Sequence, residues 1–500
     1  MSSSITSINR TALAAICLSA LMVGLEISSI PAILPTLEKV LLADFQQLQW
    51  IMNSYTLAMT ATLMAAGALA DRFGRKRVLI VGVVIFGISS LACGLATDAS
   101  ILIAARAVQG AGGAAMLACQ IAVLSHQFPD GRERGIAFSF WGIVFGAGLG
   151  FGPLVGGLMV ALLSWKWVFL VHVGLATVTF VLAQRSVQES SDPHAFRIDL
   201  AGIVTLSLAV LCLVYLITRG QALGFDEAVG LGVAALGVAS LLLFVIVELR
   251  VARPMFDFSA FRIPNFSGAL VGSAGMNASF WPFVIYLPIY FQAGLGYDNV
   301  TAGLALLAYT LPTLMAPPFG ERLLLRYGPR VILPLGLFAI GSGFMLMRLA
   351  MFGDSASWMT MAPGCILAGA GVGLMNTPVS NTATASVPQG RAGMASGMDM
   401  SVRMISLAIN IALMGFILLQ GIQAGLGSNP LAEANLTAIA EMIAAGNLDA
   451  TEAAGLTQPV ARQALVNGFG WVMLYAGIGA WALSALCFLV LARTKVALVR

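Results

Sequence analysis

Runs of about twenty apolar residues recur along almost the whole 500-residue chain, separated by short polar joints. Twenty such residues, wound as an α-helix rising ~1.5 Å per residue, cross the ~30 Å hydrocarbon layer of a bilayer with every backbone hydrogen bond made internally. Fourteen windows fit this length, near 11–34, 47–70, 78–97, 99–125, 136–160, 166–184, 199–219, 227–248, 265–290, 300–319, 331–351, 358–385, 393–418 and 467–492. Hydrophobic residues make up 59% of the chain and charged ones 10%. A soluble domain carries about a quarter charged residues, and a surface this apolar could not stay wet. The expected fold class is therefore all-α integral membrane, with 14 transmembrane helices. No signal peptide is expected, because the first apolar stretch lacks a small-residue cleavage site and runs on into the rest. Six cysteines stand singly in apolar segments without metal-ligand spacing, so they read as small core residues and no metal site is expected.

Lysine and arginine set the orientation. With both termini cytoplasmic, 19 of the 26 basic residues fall in the inner loops and ends, five in the outer loops, and two, Arg106 and Arg403, inside helices. The net charge of +4 follows from that asymmetry and gives no reason to expect a nucleic-acid partner. An internal repeat supports two like halves: GALADRFGRKR at 67–77 and GERLLLRYGPR at 320–330 join equivalent helix pairs. The expected organisation is an N-terminal six-helix bundle over 1–190, two inserted linker helices over 191–260, and a C-terminal six-helix bundle over 261–500. The long connection near 419–466 is expected outside the cytoplasm with a short amphipathic helix or two. Two like halves meeting around a midplane site is the build of many secondary transporters.

Glu26 stands in LMVGLEISSIPAILP, with an almost unbroken apolar run on its N-terminal side. An ionisable group at the centre of a membrane helix costs about 2.5–3.5 kcal/mol on the gentlest scale. Glu26 lies about 15 residues into its window, roughly 22 Å along the axis. It can be neutral in a dry state of a cavity and charged in a wetter one. Glu26 is the expected proton-coupling and substrate-attracting carboxylate, and Arg106 is expected to face the bundle interior, as intramembrane ions do, as a neighbour that tunes it. Asp399 and Arg403, spaced i and i+4, are expected to form a structural ion pair. Gly148, Gly152 and Gly156 make a face that lets another helix come close, with Pro153 a kink. Trp50, Tyr55, Met276, Phe280, Trp281 and Tyr286 are expected to line a cavity suited to a flat lipophilic molecule, and a lone carboxylate suits a cationic one. His172 is expected to be a satisfied core residue.

The loop at 67–77 resembles the helix 2–3 signature of the major facilitator superfamily, matched at Gly67, Asp71, Arg72, Gly74, Arg75 and Lys76. Three more stretches resemble the fourteen-helix drug:proton antiporter subfamily. RAVQGAGGAA matches at Arg106, Gln109 and Gly110, and GLGFGPLVGG matches the antiporter motif at Gly148, Gly152, Pro153, Gly156 and Gly157. LEISSIPAILP has the span of the acidic helix 1 motif, with Glu26 where most members carry Asp, Ser28 for Thr and Pro31 for Asn. His172 likewise stands where the family usually has Asn. The run 286–303 is similar to helices 9 and 10 of the subfamily. The resemblance implies two six-helix bundles plus two extra helices, alternating access, a gating role for the Asp71 loop, and no cofactor beyond the proton as coupling ion.

Other classes fit less well. None of the four lysines ends a GxxxxGK[ST] phosphate loop, so an ATP-driven pump is not expected. No nucleophile or metal cluster suggests an enzyme. The function expected is a proton-coupled exporter of lipophilic, cationic drugs or toxic compounds in the bacterial inner membrane. Its partners would be a small lipophilic substrate, protons and the lipid bilayer. The alternatives are an exporter or proton symporter of one endogenous metabolite or lipid, or a non-transporting sensor. The sequence leaves the oligomer open, between a monomer and an assembly with accessory efflux components.

Overall fold

In the computed structural model the residues described are 7–43, 45–129, 131–191, 199–223, 228–251, 258–351, 356–388, 391–426, 436–446, 448, 451 and 455–492. Every element among them is helical. The first six are α1 (Ser7–Leu41), α2 (Phe45–Phe73), α3 (Arg75–Gly94), α4 (Ala99–Gln127), α5 (Gly131–Leu162) and α6 (Lys166–Ser186). Then come α7 (Leu200–Leu223), α8 (Ala228–Arg250), α9 (Pro264–Ser279), α10 (Phe283–Ile289), α11 (Asn299–Met315) and α12 (Pro317–Tyr327). The last five are α13 (Pro329–Met351), α14 (Trp358–Ala385), α15 (Ala392–Leu426), α16 (Leu436–Ala444) and α17 (Gln458–Ala492).

Twelve of the fourteen apolar windows centre each on one helix, 265–290 covers α9 and α10, and 300–319 runs from α11 into α12. Among the described residues, eleven spans are long and apolar enough to cross a membrane, twelve if α11 and α12, bent by 42° at their break, count as one. α2 is not among them, because Gln47, Asn53, Ser54 and three threonines dilute its apolar run. α7 passes only as the shorter apolar stretch Leu200–Leu213. Helix ends follow local chemistry. Gly74 (φ 108°) and Gly328 (φ 74°) turn the chain at the two copies of the repeat, in a region open mainly to glycine. Asp98 and Asp298 cap α4 and α11 by accepting from the backbone N–H of Ile101 and Thr301. One expectation needs correcting: α15 runs on to Leu426 and α17 begins at Gln458, so the connection is shorter than 419–466. Both helices have 35 residues, about 52 Å at 1.5 Å per residue, and outrun the bilayer window used to find them. α16 is the short helix between them. All six cysteines are buried and outside any disulfide, as small core residues would be.

The chain divides into two compact units: residues 1–270 with 377–405 and 490–500, and residues 271–376 with 406–489. In the first, α1 packs on α5, α6 and α4, α2 on α4 and α7, and α3 on α4 and α6. α7 is tied down by Ser207 Oγ donating to Ala61 O (2.6 Å) and by Trp50 against Tyr215, ring centroids 6.0 Å apart. The stretch 377–405 is bound to this unit by polar contacts. Arg134 donates to Asn381 Oδ1 (2.6 Å) and Thr384 Oγ1 (2.8 Å), and Ser396 Oγ donates to Ala118 O (2.9 Å). In the second unit Phe280 stacks on Tyr309 (4.1 Å), and Tyr286 donates to Ile411 O (2.6 Å).

Candidate functional site

Glu26 sits near the middle of α1, fully buried, and its Oε1 is paired with Nη1 of Arg106 from α4. The arginine is held at three further points. Its Nε donates to Ile51 O (3.1 Å), Nη1 to Gln109 Oε1 (2.9 Å), and its guanidinium lies 4.5 Å from the centroid of the Tyr55 ring. Gln109 in turn donates to Ser90 Oγ (2.8 Å), which donates to Phe86 O (2.6 Å). Gly110 makes this possible. A β-carbon there would overlap the Tyr55 carbonyl, so only glycine lets α2 come close enough for its aromatic ring to cover Arg106. His172 of α6 closes the other side, with Nδ1 3.5 Å from Glu26 Oε2. An apolar layer of Ile30, Ile33, Ile51, Leu102, Trp165 and Phe169 seals the side of the site toward the α1–α2 turn. Opposite charges in so dry a place are tolerated because they are paired and hydrogen-bonded.

The antiporter-motif glycines belong to the same assembly. A β-carbon on Gly148 would stand 2.9 Å from both Leu21 O and Leu25 N of α1, and one on Gly156 2.9 Å from Ser29 O. At Gly152 it would strike the Ser28 hydroxyl. Ser28 Oγ lies 3.0 Å from Gly24 O of its own helix and 3.0 Å from Gly148 O across the seam. Gly157 is different, with nothing within 4 Å. Pro153 leaves α5 continuous from Gly131 to Leu162.

At the helix 2–3 turn, Asp71 accepts from Arg75 (Nη2 2.8 Å, Nε 3.1 Å) and from the backbone N–H of Met394 at the start of α15 (2.8 Å). Glu189, just after α6, accepts from the N–H groups of Lys76 (3.0 Å) and Arg77 (3.3 Å), which caps α3 from 113 positions away. Lys76 donates to Gln184 O (2.8 Å), and Arg72 lies over the Phe73 ring. Gly67 lies opposite Gly397. Asp399 and Arg403 pair at 3.3 Å, and Ser380 completes a buried triad by donating to Asp399 (2.6 Å) and accepting from Arg403 (2.9 Å).

Of the residues expected to line a cavity, Tyr55, Met276 and Phe280 are fully buried and Trp281 nearly so. Trp50 meets α7, and Tyr286 meets α15. Sequence reasoning gave no role to Ser90, Glu189, Arg134, Asn381 or Ser380. Only Glu189 carried a usable signal, as a carboxylate just past a helix that ends beside the basic loop.

A helical membrane protein with a repeated loop motif and a charge pair buried among its first helices has the build of a secondary transporter. The chain belongs to the Major Facilitator Superfamily, which it matches over residues 16–411. It is 32% identical over 416 residues to the multidrug resistance protein Stp of Mycobacterium tuberculosis, covering 82% of this chain and 76% of that one. The tetracenomycin C resistance and export protein of Streptomyces glaucescens is 28% identical over 93% of this chain and 88% of its own. Among solved structures, the fold is shared with the proton:xylose symporter XylE (TM-score 0.65, 14% identity, 98% of this chain and 97% of that one). It is shared too with the human organic anion transporter MFSD10 (TM-score 0.62, 12% identity, covering 97% and 99%). The chain is thus a multi-pass membrane transporter.

Proposed function

We propose that the protein exports lipophilic cationic drugs or toxic compounds in exchange for protons, by alternating access across fourteen spans with both termini cytoplasmic. The observation that carries this reading is Glu26, a carboxylate buried in α1 with one oxygen on Arg106 and the other, Oε2, accepting no hydrogen bond among the described residues. A free acceptor in a dry site is a high-energy arrangement that a proton or a cation relieves. Protonation from outside weakens the hold on a cation, and deprotonation from inside restores it. The names of the relatives, multidrug resistance and antibiotic export proteins, support export of drugs. In this reading the two six-helix bundles and the α7–α8 pair keep the boundaries expected above. The Asp71 turn, joined to Met394, is a latch that opens in each cycle, and the buried aromatics become cavity walls when it does.

A growth-inhibition panel tests the reading, with the protein expressed in a host lacking its own efflux pumps. Raised tolerance to several unrelated lipophilic cations is expected. Tolerance to one neutral compound alone would favour a dedicated exporter, the alternative supported by the tetracenomycin relative.

A further inference from the structure

His172 is buried in α6 with each ring nitrogen at a backbone carbonyl, Nδ1 3.0 Å from Val168 O and Nε2 3.2 Å from Met22 O. Carbonyl oxygens only accept. A neutral imidazole has a single N–H, so either tautomer leaves a lone pair facing an oxygen. Only the imidazolium donates at both ends. Nδ1 also lies 3.5 Å from Glu26 Oε2, the oxygen left without a donor. The other titratable or charged groups of this cluster among the described residues come from three helices: Arg106 of α4, already on Oε1, Tyr55 of α2 under its guanidinium, and Cys93 of α3 at Gln109. Phe86 of α3 covers the ring edge at 5.6 Å, and α5 meets α1 here through glycines.

Arg106 makes Glu26 a poor sole carrier of the proton. Neutralising the carboxylate would strand a buried guanidinium, and removing one partner of a buried pair costs about 3–5 kcal/mol. A proton placed on His172 instead leaves the pair intact, gives the Val168 carbonyl a donor and sets a positive charge 3.5 Å from Oε2. We propose that His172 is the second proton-binding group of this site, and that the transported proton rests on its Nδ1 beside Glu26 Oε2. The proposal rests on the reading of Glu26 as the coupling site. In the loading step one proton from the outer medium adds to the Nδ1 lone pair, turning a neutral ring with Nε2–H into imidazolium. In the release step the same proton leaves Nδ1 for the inner medium as a cationic substrate approaches Glu26.

The test uses the full-length protein in lipid nanodiscs, labelled with ¹⁵N-histidine. The chain has 3 histidines, and the His172→Asn spectrum identifies the signal of interest by its loss. The His172 ring is expected to show both the neutral and the doubly protonated forms as the pH is varied. A ring that stays in one form throughout overturns the proposal. In proteoliposomes with ethidium as probe, His172→Asn is expected to lose at least tenfold of its uphill, proton-driven efflux, as Glu26→Gln does. Should His172→Asn pump normally while Glu26→Gln fails, His172 is not a proton site and the reading of Glu26 stands. Normal pumping by both variants would instead defeat the reading of Glu26.

Discussion

The Glu26–Arg106 pair is where the chain departs furthest from what a bilayer tolerates. Each ion was legible alone, because an isolated charge in a long apolar run stands out. Arg106 was readable as a neighbour of Glu26, but the direct ion pair was not, since it joins residues 80 positions apart and depends on how closely Gly110 admits α2. Ser90 and Gln109 were opaque for a related reason: a polar residue in an apolar helix shows its partner only once the neighbouring helix is in place. Arg106→Ala leaves Glu26 buried and uncompensated, so it should destabilise the protein by about 3–5 kcal/mol. Adding Glu26→Gln should recover more than half of the lost melting temperature in detergent. A double variant no more stable than the single one would show that the two residues are not energetically coupled.

Among the elements, α5 shows how small residues serve a larger one. Its glycines were read from their spacing, but the helix they receive was not readable. The structure shows α1, the helix carrying Glu26, held close enough for Ser28 to reach across to Gly148. The two ends of the same motif then make opposite predictions. Gly152→Leu puts a side chain into the Ser28 hydroxyl and should abolish efflux while the protein still reaches the membrane. Gly157→Leu points into open space and should leave efflux within about twofold of normal, as surface changes cost little. Drug-tolerance assays with matched expression decide it, and equal behaviour of the two variants would rule out the seam. Span positions were legible because twenty apolar residues admit little else in lipid. The ends of α15 and α17 were not, since nothing in hydropathy stops a helix that continues into water.

At the scale of the whole molecule, the repeat and the fold family were legible in a few short motifs. The contacts that tie 377–405 to the first unit were not, because Arg134, Asn381 and Ser396 look like ordinary helix-end polar residues. Asp71 joins that set by accepting from the Met394 N–H. Hydrogen bonds to charged groups contribute about 1.5–3 kcal/mol, so Asp71→Asn should slow transport about tenfold or more while ethidium still binds with normal affinity. A normal transport rate in this variant would remove the latch from the cycle. The central claim, that the buried carboxylate on α1 couples protons to export, is tested most directly with Glu26→Gln, which keeps the shape of the side chain and removes its charge. Proteoliposomes of wild type and variant would be given the same imposed pH gradient, and ethidium accumulation followed by fluorescence. The wild type should concentrate ethidium against its gradient and the variant should not. Uphill accumulation by Glu26→Gln at the wild-type rate would contradict the claim and place the proton site elsewhere in the chain.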